Sequence, residues 1–282
     1  MRKIICYIAL AFSISASAEV LLVENFDQPV GTPVTSCPGW TIPYGGTSCF
    51  SLTNGLTFDG YAGSDIGNAI LLDAKSGNDQ PQHDLDAVVT SDEVYAAFLL
   101  KPMLVNKDKD YFFSFGDNIA GSYNFNARVL IANTGQIGLT FADKQKAVFS
   151  NVALSPDLTY LIVVCYTIVP GNNNDQVSLY AFAQMPTEKP QTPVIGPLTD
   201  AVKADINPSK VVLRGINNDD WIVLDGIRVA TTWDETVAPT VAQGLQSPAT
   251  DGTKAYKRME NGQLIIVQGG KKYNALGAEI DY

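Results

Sequence analysis

The chain is poor in the residues on which most enzyme and metal chemistry rests. It has one histidine, His83, among 282 residues, and four cysteines, none of them in a C-x-x-C pair. Zinc sites need three or four closely placed His, Cys or acidic ligands, so zinc is excluded. A Ser-His-Asp triad would have to use His83, and the chain has no Gly-x-Ser-x-Gly elbow to present a serine. Basic residues are also scarce, 19 Lys and Arg against 29 Asp and Glu, for a net charge of −10. A phosphate-binding face needs clustered Lys and Arg, so nucleic acid is excluded, and an anionic membrane surface with it. The one long apolar run, Ile4–Phe12, is too short to span a bilayer. No window long enough for a helix carries a sustained 3.6-residue stripe.

The first 18 residues read as a signal peptide. Arg2 and Lys3 precede the apolar run, and Ala16-Ser17-Ala18 has the small-residue pattern of a cleavage site. Its removal takes away two basic residues and no acids, leaving 17 − 29 = −12. Export places the protein where disulfides persist. Cys6 leaves with the signal, and Cys37 and Cys49 flank a Gly/Pro-rich segment, which predicts that these two pair. Closing so short a loop stabilises by about 3 kcal/mol on the chain-entropy account. Cys165 lies in an apolar run and reads as a buried free thiol.

Residues 19–236 form the body, 237–254 (VAPTVAQGLQSPATDGTK) a linker rich in Pro, Ala, Thr and Gly, and 255–282 a tail. In the body, runs of β-branched and aromatic residues alternate with turn clusters such as Asn133-Thr134-Gly135. Ten strands are predicted. They start at Val20, Asn68, Val94, Tyr111, Ala127, Gln136, Thr159, Gln176, Lys210 and Trp221. Tyr160–Val169 and Trp221–Val229 are apolar on both faces, which predicts central strands covered on both sides. The expected fold is all-β, a two-sheet antiparallel jelly-roll sandwich. In the tail, Asn261-Gly262 and Gly269-Gly270 bracket Leu264–Val267 and predict a small three-stranded meander. Such a meander is too short to hold its own core, and reads as a docking or address element.

GNAILLD (67–73), VYAAFLLKP (94–102), YFFSFGDN (111–118), TYLIVVCYTIVPGNNNDQVSLYAF (159–182) and WIVLDGIRVATTWDE (221–235) resemble laminin-G-like, concanavalin-A-like jelly-roll domains of secreted bacterial proteins. The tail stretch GQLIIVQGGKKYNALGAEI resembles the C-terminal sorting segment of proteins exported by type IX secretion in Bacteroidota. That second resemblance implies contact with secretion machinery and delivery to the cell surface or beyond.

Enzymes occur on this fold, and each kind requires a recognisable set of residues. Laminarinase-type glycosidases need two carboxyls about 5 Å apart, carried on a Glu-x-Asp-x-x-Glu strand. After the signal the chain has seven glutamates, at 19, 24, 93, 188, 235, 260 and 279, and none begins that pattern in the body. The Gln-x-His strand of alginate-lyase relatives fits His83 only through Gln80-Pro81-Gln82, so His83 reads as a loop residue. Asp225 sits in a strand beside Trp221, Val223, Ile227 and Val229, where a carboxylate must be paired or bind a cation. In related modules the first and last strands lie side by side and share a structural calcium. Carried over, this implies a Ca²⁺ site of Glu24, Asp27 and Asp225; the alternative is that Asp225 accepts hydrogen bonds from Arg228 or a backbone amide. The acids Asp65, Asp79 and Asp117 are further candidates. For a glycan site, aromatics among polar residues point to Trp40, Tyr44, Tyr61 and Tyr123, with Asn124 and Asn126. The leading expectation is a secreted, non-catalytic carbohydrate-binding module. The alternatives are an adhesive surface protein that binds another protein, and an atypical glycan-active enzyme.

Overall fold

Short runs of residues that suit a pleated, half-buried surface, separated by turn residues, leave the chain no regular structure but antiparallel strands. A computed structural model describes residues 18–43, 50–73, 80–105, 110–118, 124–156, 158–215, 221–237, 256–260, 263–268 and 271–273, with only the backbone for 256–265 and 268. The chain divides into two compact units, residues 1–240 and 241–282.

The first unit is a sandwich of two large antiparallel sheets. Its strands are β1 (Val20–Glu24), β2 (Trp40–Thr41), β3 (Ser51–Asn54), β4 (Asn68–Asp73), β5 (Gln82–Asp84), β6 (Glu93–Leu104), β7 (Asp110–Gly116) and β8 (Phe125–Ile131). Then come β9 (Gln136–Thr140), β10 (Val148–Ala153), β11 (Tyr160–Thr167), β12 (Gln176–Phe182), β13 (Ile195–Leu198), β14 (Lys210–Leu213) and β15 (Trp221–Ala230). The first sheet runs β13-β12-β11-β6-β15-β4-β3, with β1 also paired to β15. The second runs β10-β9-β8-β7-β14-β5-β2. The all-β jelly-roll sandwich expected from the sequence is therefore present. So are the two central strands: β11 lies between β12 and β6, and β15 between β6 and β4.

Period two sorts the side chains. Val94, Ala96, Phe98 and Leu100 of β6 face the second sheet and join Phe113, Val129, Leu139 and Val211 in one core. Phe98 and Phe113 lie with ring centroids 4.7 Å apart. The intervening Tyr95, Ala97 and Leu99 pack on the opposite face under Leu56, Phe58 and Tyr61, and under Trp233 and Val237 of a short helix, α1 (Trp233–Val237). Thr232 starts that helix, its hydroxyl accepting from Glu235 N. The outer face of the second sheet is covered less, by a small cluster of Tyr111, Phe125, Leu130 and Val212.

Five strands were not foreseen: β2, β3, β5, β10 and β13. Four of them are the sheet edges. Edge strands are short and exposed on one side, so their apolar signal is weak. His83 belongs to β5, paired with Trp40 and Val211, and is not the loop residue expected.

The second unit holds a meander of β16 (Tyr256–Glu260), β17 (Gln263–Gln268) and β18 (Lys271–Tyr273), as its bracketing turn residues predict. Among the described residues, no helix is long and apolar enough to cross a membrane.

Candidate functional site

Two of the residues singled out for sugar binding, Trp40 and Tyr61, are core residues. Trp40 is only 4% exposed. Its ring stacks on Phe26 and its indole N–H donates to Glu24 Oε2 at 2.7 Å. Tyr61 is fully buried and its hydroxyl donates to Gly226 O at 2.6 Å. Each ring has a polar partner remote in sequence, and neither is available to stack on a sugar. Tyr44 and Tyr123 lie outside the described residues. Asn124 and Asn126 do meet, in a cleft described below.

Two of the three expected calcium ligands, Glu24 and Asp225, are engaged in hydrogen bonds. β1 lies beside β15, as the resemblance implied, with Glu24 opposite Ile227. Glu24, however, accepts from Phe26 N at 2.6 Å and from Trp40. Asp225 is fully buried and accepts from Leu56 N and Gly226 N, both at 2.6 Å. Of the two readings left open for Asp225, the backbone-amide one describes the structure. Asp27 is exposed. Among the described residues no three His, Cys, Asp or Glu side chains converge to hold a metal, so these residues do not fit the ion. Burial pushes the Asp225 carboxyl up to about 7, and nearby Glu24 adds to this against the two amide bonds.

Asp225 was read on one face with Ile227 and Val229. The pairing of β15 with β6 slips at Gly226, where φ is +55°. This bulge reverses the alternation: Ile222, Leu224, Ile227 and Val229 face the core, while Val223 packs on the other side. Cys37 has a free, buried thiol 3.8 Å from Pro33 O; its expected partner Cys49 lies outside the described residues. Cys165 is a buried free thiol, as expected.

A polar cleft of about 440 Å³ opens on the outer face of the second sheet. β7 contributes Asp110 and Tyr111, β8 Asn126 and Arg128, and the end of β14 Arg214; Gln80, Asn124, Lys144 and Lys203 complete the rim. Two bulges aim these side chains. On β7 the register slips between Tyr111 and Phe113, so Phe112 and Phe113 both enter the core while Tyr111 faces out. On β8 it slips again near Ala127, whose φ is +53°. A non-glycine residue at positive φ is strained, and bulges of this kind re-aim side chains at sheet faces.

The guanidinium carbons of Arg128 and Arg214 lie 4.7 and 4.9 Å from the Tyr111 ring centroid. Arg128 Nε donates to Phe125 O at 2.7 Å. Arg214 pairs with Asp110, whose carboxylate also accepts from Tyr111 N at 3.0 Å. Asp143 is engaged too, accepting from Gln145 N at 3.0 Å. Asn126 is held by a bond from its amide to Ala204 O at 3.0 Å. Burial lowers the Arg128 pKa, with Arg214 acting in the same direction. Burial raises the Tyr111 pKa, opposed by the two arginines. The sequence signal for this site was present and passed over. The body has only three arginines, Arg128, Arg214 and Arg228, and all three sit in predicted strands.

No family model and no curated protein matches the chain. Among solved structures, the globular domain of Trypanosoma cruzi calreticulin is similar at 12% identity, with a TM-score of 0.45, over 77% of this chain and 90% of that one. A protein of unknown function from Shewanella oneidensis MR-1 is similar at 16% identity and a TM-score of 0.44, over 83% of this chain and 92% of that one. The Trypanosoma rangeli sialidase in complex with the inhibitor DANA is similar at 11% identity and a TM-score of 0.38; this chain spans 30% of it. At this level the likenesses assign no function.

Proposed function

We propose that this protein is a non-catalytic carbohydrate-binding module of the cell exterior, with its ligand in the cleft beside Tyr111. The observation that supports this is the make-up of the cleft. Three side-chain amides, from Gln80, Asn124 and Asn126, surround an aromatic wall in an open cavity of about 440 Å³. A hydroxyl-rich ligand suits such a lining, because an amide both donates and accepts and can meet a sugar hydroxyl in either role, beside a ring it can stack on. Both carboxylates in the cleft are engaged, Asp110 by Arg214 and Asp143 by Gln145, so neither stands as a free acid or base.

The test is a glycan array probed with the purified protein and with Ala204→Trp. Ala204 is exposed and lines the cleft, so the indole would fill the cavity without entering the core. The expected result is binding to a related set of glycans, lost in the variant. A blank array, or binding that the variant leaves intact, would overturn the reading. A blank array would move the weight to protein recognition, for which the exposed Trp221, Met103 and Leu104 are the surface to test. Trp221 and Leu104 are register partners on β15 and β6.

The signal peptide and the tail's resemblance to a sorting segment support export through secretion machinery. Deleting 255–282 is expected to abolish surface or extracellular accumulation, read by cell fractionation. Unchanged export would remove the tail from that role.

A further inference from the structure

The cleft has a charge opposite to that of the protein as a whole. The chain carries −10, yet four of its cationic side chains, Arg128, Lys144, Lys203 and Arg214, line one cavity with only two carboxylates. Of the four, only Arg214 has a carboxylate partner within 4 Å among the described residues. Asp110 is committed to that pair, and Asp143 to the turn it caps. Arg128 is half-buried and shares the Tyr111 ring with Arg214, so two like charges are held together in a partly dry place. The Arg214 Nε is buried with no hydrogen-bond partner. A buried donor without a partner is a standing cost that an acceptor entering the cleft would relieve.

Resting on the carbohydrate reading above, we infer that the ligand is an anionic sugar, whose carboxylate or sulfate ester is taken by Arg128 and Arg214 while the amides of Gln80 and Asn124 meet its hydroxyls. Guanidinium suits this task better than ammonium. Its planar fork matches a carboxylate or sulfate with two parallel bonds, and it stays charged when buried. The bulges on β7 and β8 aim Tyr111 and Arg128, and the ion pair with Asp110 holds Arg214 over the same ring before any ligand arrives, which reduces the ordering that binding requires. Exposed Lys144 and Lys203 at the rim would draw a polyanion in against the repulsion of the acidic surface.

The experiment measures binding of the full-length protein at about 0.15 M salt. The probes are polygalacturonate, dextran sulfate, neutral dextran and polyglutamate. The expected result is binding to one or both anionic polysaccharides, with dextran and polyglutamate far weaker. Polygalacturonate alone would assign the carboxylate, and dextran sulfate alone the sulfate ester. Arg128→Gln is expected to weaken binding about 10- to 100-fold, the range for a lost charge-assisted contact. Arg128→Lys should recover only part, because the fork is gone. Should Arg128→Gln lower thermal stability, the exposed pair Lys144→Gln/Lys203→Gln carries the test. It should weaken binding severalfold and flatten its salt dependence.

Dextran bound as well as the anionic polymers, and lost in Ala204→Trp, would overturn the anionic ligand while leaving the carbohydrate site standing. Polyglutamate bound as tightly as the sugars would reduce the cleft to a charge patch. No binding to any polysaccharide would bring down both readings.

Discussion

Gly226→Ala is expected to destabilise the protein by at least about 4 kcal/mol, among the largest effects of any single substitution. Gly226 holds φ at +55°, where an added Cβ costs about 1 kcal/mol in any surroundings. The surroundings make it far worse. The new carbon would lie 2.2 Å from Gly63 O and 2.8 Å from Gly63 C, both backbone atoms that cannot rotate away. Relief would mean moving the loop whose Tyr61 hydroxyl is bonded to Gly226 O. It would also disturb the point where β15 exchanges β4 for β1 as its neighbour. Since a domain of this kind is stable by only about 5–15 kcal/mol, most of the folded population is at risk. Denaturant midpoints of the two proteins decide the matter. A difference under about 1 kcal/mol would mean that the bulge is not the pivot described.

The adjacent residue controls how stability varies with pH. Asp225 titrates near 7 in the folded protein, against 3.8 when unperturbed, chiefly because burial disfavours its charge. Below pH 4 it is protonated in both states and contributes no slope. Between pH 4 and pH 7 the unfolded chain has released its proton and the folded one has not. The folded state then binds more protons, and stability from this group falls as pH rises. Above pH 7 the loss is complete. At about 1.4 kcal/mol per pH unit, the fall is on the order of 4 kcal/mol.

Asp225→Asn has nearly the shape of the protonated carboxyl and no titration. Its stability relative to the wild type should therefore rise by about 4 kcal/mol from pH 4 to pH 8. The comparison cancels groups such as Glu93 and Asp200, which titrate low in the folded state and favour higher pH. Parallel pH profiles for the two proteins would show that Asp225 is not the buried, singly protonated group inferred from its setting.

How far the sequence could be read follows from where each residue's information lies. Tyr160–Val169 announced a central strand because its side chains from Tyr160 to Tyr166 are apolar or aromatic without a break, and burial on both faces leaves no alternating polar position there to confuse the pattern. Ile195–Leu198 and Val148–Ala153 were missed because an edge strand is half solvated and needs no such run. Trp40 and Tyr61 looked like exposed rings in polar turns. They are buried because Glu24 and the Gly226 carbonyl, 16 and 165 positions away, satisfy their polar ends. A window along the chain cannot contain such partners.

By itself the sequence determined the all-β class, the two central strands β11 and β15, and the three-stranded tail. These follow from local propensity, period-two patterning and composition. Only the tertiary structure decided that β15 reverses its alternation at Gly226. Only it placed Asp225 between two backbone amides, and gathered Tyr111, Arg128 and Arg214 into one cleft. Those three come from strands β7 and β8 and the end of β14; two one-residue slips between β7 and β8 bring Tyr111 and Arg128 to the face that the regular β14–β7 pairing gives Arg214. Pairing register is a property of two strands at once, so neither strand's sequence could state it alone.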